Sequence, residues 1–327
     1  MKIILDACGG DNAPEAMVAG ACDAAKKYKI EVILCGPERD LKTRLKKYGA
    51  PAAVTVVPAA LPGDFGLDYL AAVRARKPVG ITVGMKLLSD GGGDAFVSCG
   101  STGAVMIGAV AFVGRVPGAR RVALGTPIPK KEGFVLLLDS GAGLECAPET
   151  FVEFANHGVN FMKSVTGIEH PVVGLINNGR EEDKGRPEYV EAHRLLRESG
   201  LNFYGNLETR DLFTSPCDVA VCDGFVGNAI LKTVEGVAQF FSSGIKEAFM
   251  KNTLTKLGGL LAKSGISDFK RRFDYTEFGG VPIIGAAKPV IKAHGSSNAR
   301  SVTSAIRQAV MAASGSGMLT METGKDF

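Results

Sequence analysis

The sequence has no tryptophan, and aromatic residues make up only 7% of it, so it lacks the stacked-ring surfaces on which single-stranded nucleic acids lie. It also lacks a large charge of one sign: the formal net charge is +4, too little for general attraction to a polyanion, and no nucleic-acid partner is expected. No apolar run approaches the ~20 residues of a membrane-spanning helix. The first residues read as a strand rather than a basic-then-apolar leader, so a cytosolic protein is expected. The seven cysteines are odd in number and include no C-x-x-C pair, which excludes an evident disulfide framework or zinc knuckle. No repeat, low-complexity tract or linker divides the chain, and residues 1–327 read as a single domain.

Hydrophobic residues, at 46%, supply a sizeable core, and 42 glycines are the compositional outlier. Short apolar runs at Ile3–Leu5, Val32–Leu34, Val54–Val57, Ala95–Ser98, Val172–Ile176 and Val219–Cys222 alternate with helical patterns. The helices read most clearly at Val79–Leu88, Thr102–Val113, Glu149–Val165 and Tyr189–Glu198. Such alternation predicts an α/β fold, a largely parallel sheet wrapped by helices. Val122–Thr126 and Phe134–Leu138, joined by Pro127–Gly133, read as an inserted β-hairpin, so the sheet is expected to be mixed.

The glycines concentrate where strands end. "LDACGGDNAPEA" at 5–16 is a sharp strand-to-helix turn in which Asn12 is expected to cap the helix and Glu15 to complete a capping box. "SCGSTGA" (98–104), "LDSGAG" (138–143), "INNGREEDKG" (176–185), "CDGFVGN" (222–228) and "KAHGSSNAR" (292–300) share this design. Loops that follow parallel strands gather at one sheet edge, where ligands bind. Gly9, Gly10, Gly100, Gly103, Gly227 and Gly295 let backbone amides approach an anion. Ser98, Ser101, Thr102, Ser296 and Ser297 add hydroxyls, and Lys184, His294 and Arg300 add cations, a donor set suited to phosphate. The spacing is not that of a Walker loop, and "GAGLEC" has Cys146 where a dinucleotide fingerprint needs its third glycine.

With "VGMKLL", "FGGVPIIG" and "VIKAHGSSNAR", these motifs resemble in order and coverage the bacterial phosphate acyltransferases of phospholipid synthesis, from Lys2 to about Gln308. The resemblance implies a doubly wound three-layer αβα fold related to isopropylmalate dehydrogenase and phosphotransacetylase, and a homodimer. It also implies conversion of an acyl carrier protein thioester and inorganic phosphate into acyl phosphate. Three positions depart from the family pattern: Ser101 stands where Asn is usual, and Cys8 and Cys99 where Met and Ala are common. "LPGDFGLDY" (61–69) is also unusual and is read as altering acyl-chain or partner contacts.

Phosphate attack on a thioester requires neither metal nor redox cofactor, and none is expected. Lys184 and Asn228 match positions that the resemblance implies are catalytic, Lys184 for phosphate and developing negative charge, Asn228 for orienting the thioester carbonyl. Taken alone, Lys184 reads first as a solvated loop lysine paired with Glu181 or Asp183, and Asn228 reads equally as the cap of a helix starting near Ala229. His294 is assigned first to anion binding, ahead of a general acid for the departing thiolate or a loop-fixing side chain. Asp6, Asp11, Asp139 and Asp223 are read as orienters of loop amides or of Lys184. Cys99, next to Gly100, invites a nucleophile reading, but direct attack by phosphate is preferred. The competing activities are a coenzyme A-dependent phosphotransacetylase, an acetyl-phosphate-forming reductase subunit and a non-enzymatic membrane-associated scaffold.

Between Lys246 and Tyr275 lysine and arginine interleave with leucine. Met250, Leu254, Leu257 and Leu261 recur as one apolar helical face, with Lys256 and Lys263 beside it. The pattern alone favours an ordinary amphipathic helix packed on the core, whereas the resemblance implies a projecting helical hairpin over 246–275, with Gly258 and Gly259 as a bend or the hairpin's tip. The resemblance implies peripheral membrane attachment through it. Contacts with anionic lipid, with the carrier protein and with a downstream acyltransferase follow as expectations.

Overall fold

The computed structural model describes residues 1–131, 133–266 and 279–314. The chain opens with β1 (Lys2–Asp6), α1 (Glu15–Tyr28), β2 (Glu31–Gly36), α2 (Glu38–Lys47) and β3 (Val54–Pro58). α3 (Tyr69–Arg74), α4 (Gly80–Ser89), β4 (Ala95–Ser98) and α5 (Thr102–Gly108) follow. Next come β5 (Ala123–Leu124), β6 (Thr126–Pro129), β7 (Phe134–Leu138), α6 (Pro148–Thr166), β8 (Val173–Asn177) and α7 (Pro187–Glu198). β9 (Phe203–Glu208), β10 (Val219–Val221), α8 (Gly224–Met250), α9 (Thr253–Leu261), β11 (Gly280–Ile284), β12 (Val290–Ala293) and α10 (Ala299–Ser314) complete it.

The strands form two sheets, ordered β3-β2-β1-β4-β12-β11-β5 and β6-β7-β10-β8-β9. Where the sequence reading expects one mixed sheet, both of these are mixed: β11 runs antiparallel to β12 and β5, and β6 antiparallel to β7, while the other pairs are parallel. β1 shows why its residues are apolar throughout. Ile3 and Leu5 pack with Met17, Val18 and Val302 of α1 and α10 on one face, and Ile4 packs with Ile81, Met85 and Phe96 on the other. A parallel strand covered by helices on both faces needs a continuous apolar run. The second sheet is filled on one face by Leu136, Leu138, Leu175 and Val219 against Phe151, Phe154 and Leu196. The chain passes from the first sheet to the second at Gly125, where Ala123 and Ile284 share a core cluster with Leu136.

Five local expectations are corrected. The hairpin is β6–β7, and the segment before it is split, with β5 joining the other sheet. Pro127 sits in β6 rather than in the loop, and this edge strand tolerates a residue without an N–H. Asn12 does not cap α1. Its side-chain amide donates to the carbonyls of Ser296 and Ser297 (3.1 and 3.2 Å), and Glu15 pairs with Arg44. α8 begins at Gly224 and is capped by Asp223, which accepts from Val226 N (2.8 Å), so Asn228 lies in its second turn rather than at its cap. Finally, the helix predicted over 102–113 relaxes into a π-helical turn at Ala109–Val113.

α8 is 27 residues long, yet Gly224 and Gly227 alone among its residues are buried. The bend after it falls at Lys251–Asn252, where Asn252 caps α9 by accepting from Thr255 N (3.0 Å). Gly258 and Gly259 therefore lie inside α9, and Met250 belongs to a different helix from Leu254, Leu257 and Leu261, which are 82, 57 and 79% exposed. Residues 267–275 of the expected hairpin lie outside the described residues. Among the described residues no helix is long and apolar enough to cross a membrane.

At Gly227 the first turns of α8 ride directly on the Asp139 backbone, so that a Cβ would overlap the Asp139 carbonyl oxygen. Alanine improves helix propensity by up to ~1 kcal/mol, but overpacking against backbone costs about 1–3 kcal/mol. Gly227→Ala is expected to be less stable than the unaltered protein in urea denaturation; equal or greater stability would refute this packing.

Candidate active site

A cleft of about 980 Å³ opens at the C-terminal ends of parallel strands from both sheets. On the first sheet its floor is set by Asp6, the last residue of β1. The wholly buried Asp6 carboxylate accepts from Cys8 N (3.1 Å), Tyr69 Oη (2.6 Å) and Ser98 Oγ (2.7 Å). Burial raises its pKa, and the Tyr69 and Ser98 hydrogen bonds oppose that rise. Ser98 Oγ also accepts from Gly100 N (3.0 Å), so Ser98 lies beneath the cleft rather than on its surface. Gly9 is confined here: a Cβ would come within 2.5 Å of Asp6 Oδ2 and 2.6 Å of Gly100 N. The unusual 61–69 segment ends on Tyr69, which also lines the cleft.

Around this floor stand Gly10, Ser101, Thr102 and the 294–298 loop. Ser101 Oγ accepts from Ala104 N (3.4 Å) at the start of α5. His294 Nδ1 lies 3.2 Å from Ser296 N and 2.8 Å from Ser296 Oγ. Because an amide can only donate, Nδ1 is the acceptor and the ring proton sits on Nε2. Burial, with Lys292 next in effect, lowers the His294 pKa, so the ring is neutral near pH 7. Asp11 N donates to Gly295 O (2.8 Å), which joins this loop to the first one.

On the second sheet Asp139 plays the part of Asp6. Its buried carboxylate accepts from Leu124 N, Gly141 N, Ala142 N and Gly143 N at 2.8–3.1 Å. Those amides are therefore spent on a carboxylate and are not offered to an incoming anion. Asp223 accepts from Tyr189 Oη (2.8 Å), from Arg186 and from the first turn of α8. The expectation that Asp6, Asp139 and Asp223 orient loop groups matches this geometry, whereas Asp11 joins the loops through its backbone N–H to Gly295 O and lines the cleft. Asn228, exposed on α8, lines the cleft together with Leu231, Phe225 and Leu144, the last two 68 and 76% exposed.

Not every predicted residue comes to the cleft. Lys184 stands on the exposed loop after β8, its carbonyl held by Asn177 Nδ2 (3.0 Å), and it does not line the cleft. That loop is tied to the head of α8 through the Arg186–Asp223 ion pair. Gly103 and Gly227 also lie off the lining, and Leu254, Leu257, Leu261, Lys256 and Lys263 belong to the distant α9 region. Gly100, Gly295, Ser296 and Ser297 are on it. Sequence reasoning missed Lys292, whose signal was a lysine inside the otherwise apolar strand "VIKA", directly before the glycine-serine loop. Cys99 lines the cleft, but burial pushes its thiol up to about 11, which leaves it protonated and a poor nucleophile.

The match to the family described as "Fatty acid synthesis protein" covers residues 1–318. A phosphate acyltransferase from Clostridium acetobutylicum is 42% identical over 312 residues, 95% of this chain and 94% of that one. One from Alkaliphilus oremlandii is 40% identical over 311 residues, covering 95 and 93%. In three dimensions the chain is similar to the EutD phosphotransacetylase from Staphylococcus aureus (TM-score 0.62, 14% identity, 96 and 94% of the two chains). It is also similar to a branched-chain phosphotransacylase from Enterococcus faecalis (TM-score 0.61, 14% identity, 96 and 99%). A 4-hydroxythreonine-4-phosphate dehydrogenase from Burkholderia phymatum shares the fold more loosely (TM-score 0.53, 16% identity, 95 and 97%).

With its pKa near 11, Cys99 should react with iodoacetamide at neutral pH about a hundredfold more slowly than an unperturbed thiol. Peptide mapping after timed alkylation, with a urea-unfolded control, checks this; rapid labelling of Cys99 in the folded protein would reinstate it as a candidate nucleophile.

Proposed function

The chain belongs to the phosphate acyltransferase family, and from that premise we propose that it takes a fatty acyl group from the thioester of acyl carrier protein. It passes that group to inorganic phosphate by direct attack, giving acyl phosphate for phospholipid synthesis. The observation that carries this reading is the composition of the cleft. Hydroxyl and imidazole donors at Ser101, Thr102, His294 and Ser296 adjoin an apolar flank of Leu124, Leu144, Phe225 and Leu231. An anion and an acyl thioester need those two surfaces side by side.

A phosphate oxygen adds to the thioester carbonyl, the carbonyl electrons move onto oxygen, and their return expels the carrier's thiolate, which takes a proton. Asn228 orients the carbonyl, and Lys184, on the loop tethered by Arg186 to Asp223, meets the developing negative charge. The lining contains residues from both sheets, so the two act as one catalytic unit. The exposed Phe240 and Phe241 of α8 suit a second copy of the chain, and Leu254, Leu257 and Leu261 with Lys256 and Lys263 suit an anionic membrane surface. Acyl phosphate released there would meet a downstream acyltransferase.

Purified protein mixed with acyl carrier protein carrying a long acyl chain, and with phosphate, should yield acyl phosphate that hydroxylamine traps as a hydroxamate. Asn228→Ala and Lys184→Ala are each expected to lower turnover about a hundredfold in folded protein. Near-normal rates would remove both residues from the mechanism, and faster turnover of acyl coenzyme A would favour the phosphotransacetylase reading. For the surface, salt-sensitive binding to anionic vesicles is expected, abolished by Leu257→Glu or Leu261→Glu with folding intact. Failure of the unaltered protein to bind at low salt would end the membrane assignment.

A further inference from the structure

The function proposed above requires a phosphate anchor, and resting on that reading we infer that the anchor is Lys292, at the C-terminal end of β12. Two lysines line the cleft among the described residues, Lys232 and Lys292, and they differ in one respect. Lys232 is already neutralised by Glu235 (2.8 Å), one turn along α8. Lys292 has no carboxylate within ion-pairing distance among the described residues, although its side chain is only partly exposed. It donates to the Ala293 carbonyl, and an ammonium has three N–H groups to place. Desolvating a cation without a counter-ion is costly, and a dianion entering from solution offsets that cost.

The backbone around Lys292 is rigid in a way that the loops are not. β12 lies between β4 and β11, with Lys292 in register with Ser98 on one side and Val281 on the other. A cation fixed on an inner strand is held without ordering a loop when ligand arrives. The same position adjoins His294, whose ring is neutral and supplies a hydrogen-bond donor rather than charge. Lys184, by contrast, is exposed, follows Glu181, Glu182 and Asp183 in sequence and lies off the lining. The division of labour follows: Lys292 binds phosphate in the ground state, and Lys184 acts on the charge that develops during transfer.

Lys292→Met keeps the length and volume of the side chain and removes its charge. Loss of a charge-assisted contact should raise the KM for inorganic phosphate by about tenfold or more, with the KM for the acyl donor unchanged. Lys292→Arg should restore most of the affinity. Inorganic phosphate should raise the melting temperature of the unaltered protein but not that of Lys292→Met, whose melting temperature without phosphate should be no lower. An unchanged phosphate KM would overturn the inference. A rise confined to the acyl donor would also overturn it, since the lysine would then hold the carrier's own phosphodiester. A lower melting temperature without phosphate would make Lys292 structural. If the unaltered protein forms no acyl phosphate yet shows a phosphate-dependent shift that Lys292→Met loses, the proposed function falls and the anion site stands.

Discussion

Buried carboxylates at strand ends hold the cleft open. Asp6 and Asp139 each sit where a central parallel strand stops, and each binds the loop that follows to a neighbouring element: Asp6 to Ser98 and Tyr69, Asp139 to Leu124. A buried carboxylate without partners would be expensive, and here the loop amides are the partners. The loops therefore have little freedom of their own, and Gly9 and Gly224 are required because a side chain at either would displace an amide and a carboxylate.

This arrangement also sorts charge. The buried carboxylates Asp6 and Asp139 turn their oxygens toward amides and hydroxyls below the cleft, whereas hydroxyls, a neutral imidazole and Lys292 line it together with Asp11 and Glu235. The negative charge of the two buried carboxylates thus serves as scaffold, and of the two at the surface Glu235 is paired with Lys232. Asp223 applies the same device to α8, capping the helix while Arg186 links it to the neighbouring loop.

Much of this was readable in the sequence, because glycine, aspartate and serine after apolar runs mark strand ends with a physical reason for each residue. The alternation of strands and helices, the loops of the cleft and the amide-orienting aspartates were all legible on that basis. What escaped depended on register. Lys292 looks like an interruption of an apolar strand until β12 is known to lie beside Ser98. Pro127 looks like a loop residue until β6 is known to be an edge. Asn12 has the right chemistry for a cap, yet the approach of the 294–298 loop gives its amide a better use. Lys184 illustrates the converse: its loop was identified correctly, but no spacing rule could say that it stands outside the cleft lining.

α8 carries Asn228 at one end and leads to the exposed leucines of α9 at the other. At 1.5 Å per residue its 27 residues extend about 40 Å, farther than most of a small domain's width. It works as a stand-off: whatever grips the far end is kept from covering the mouth of the cleft. Under the anchoring role proposed for the tip, anchorage and catalysis would vary independently, and a change in the tip would alter attachment without retuning the chemistry.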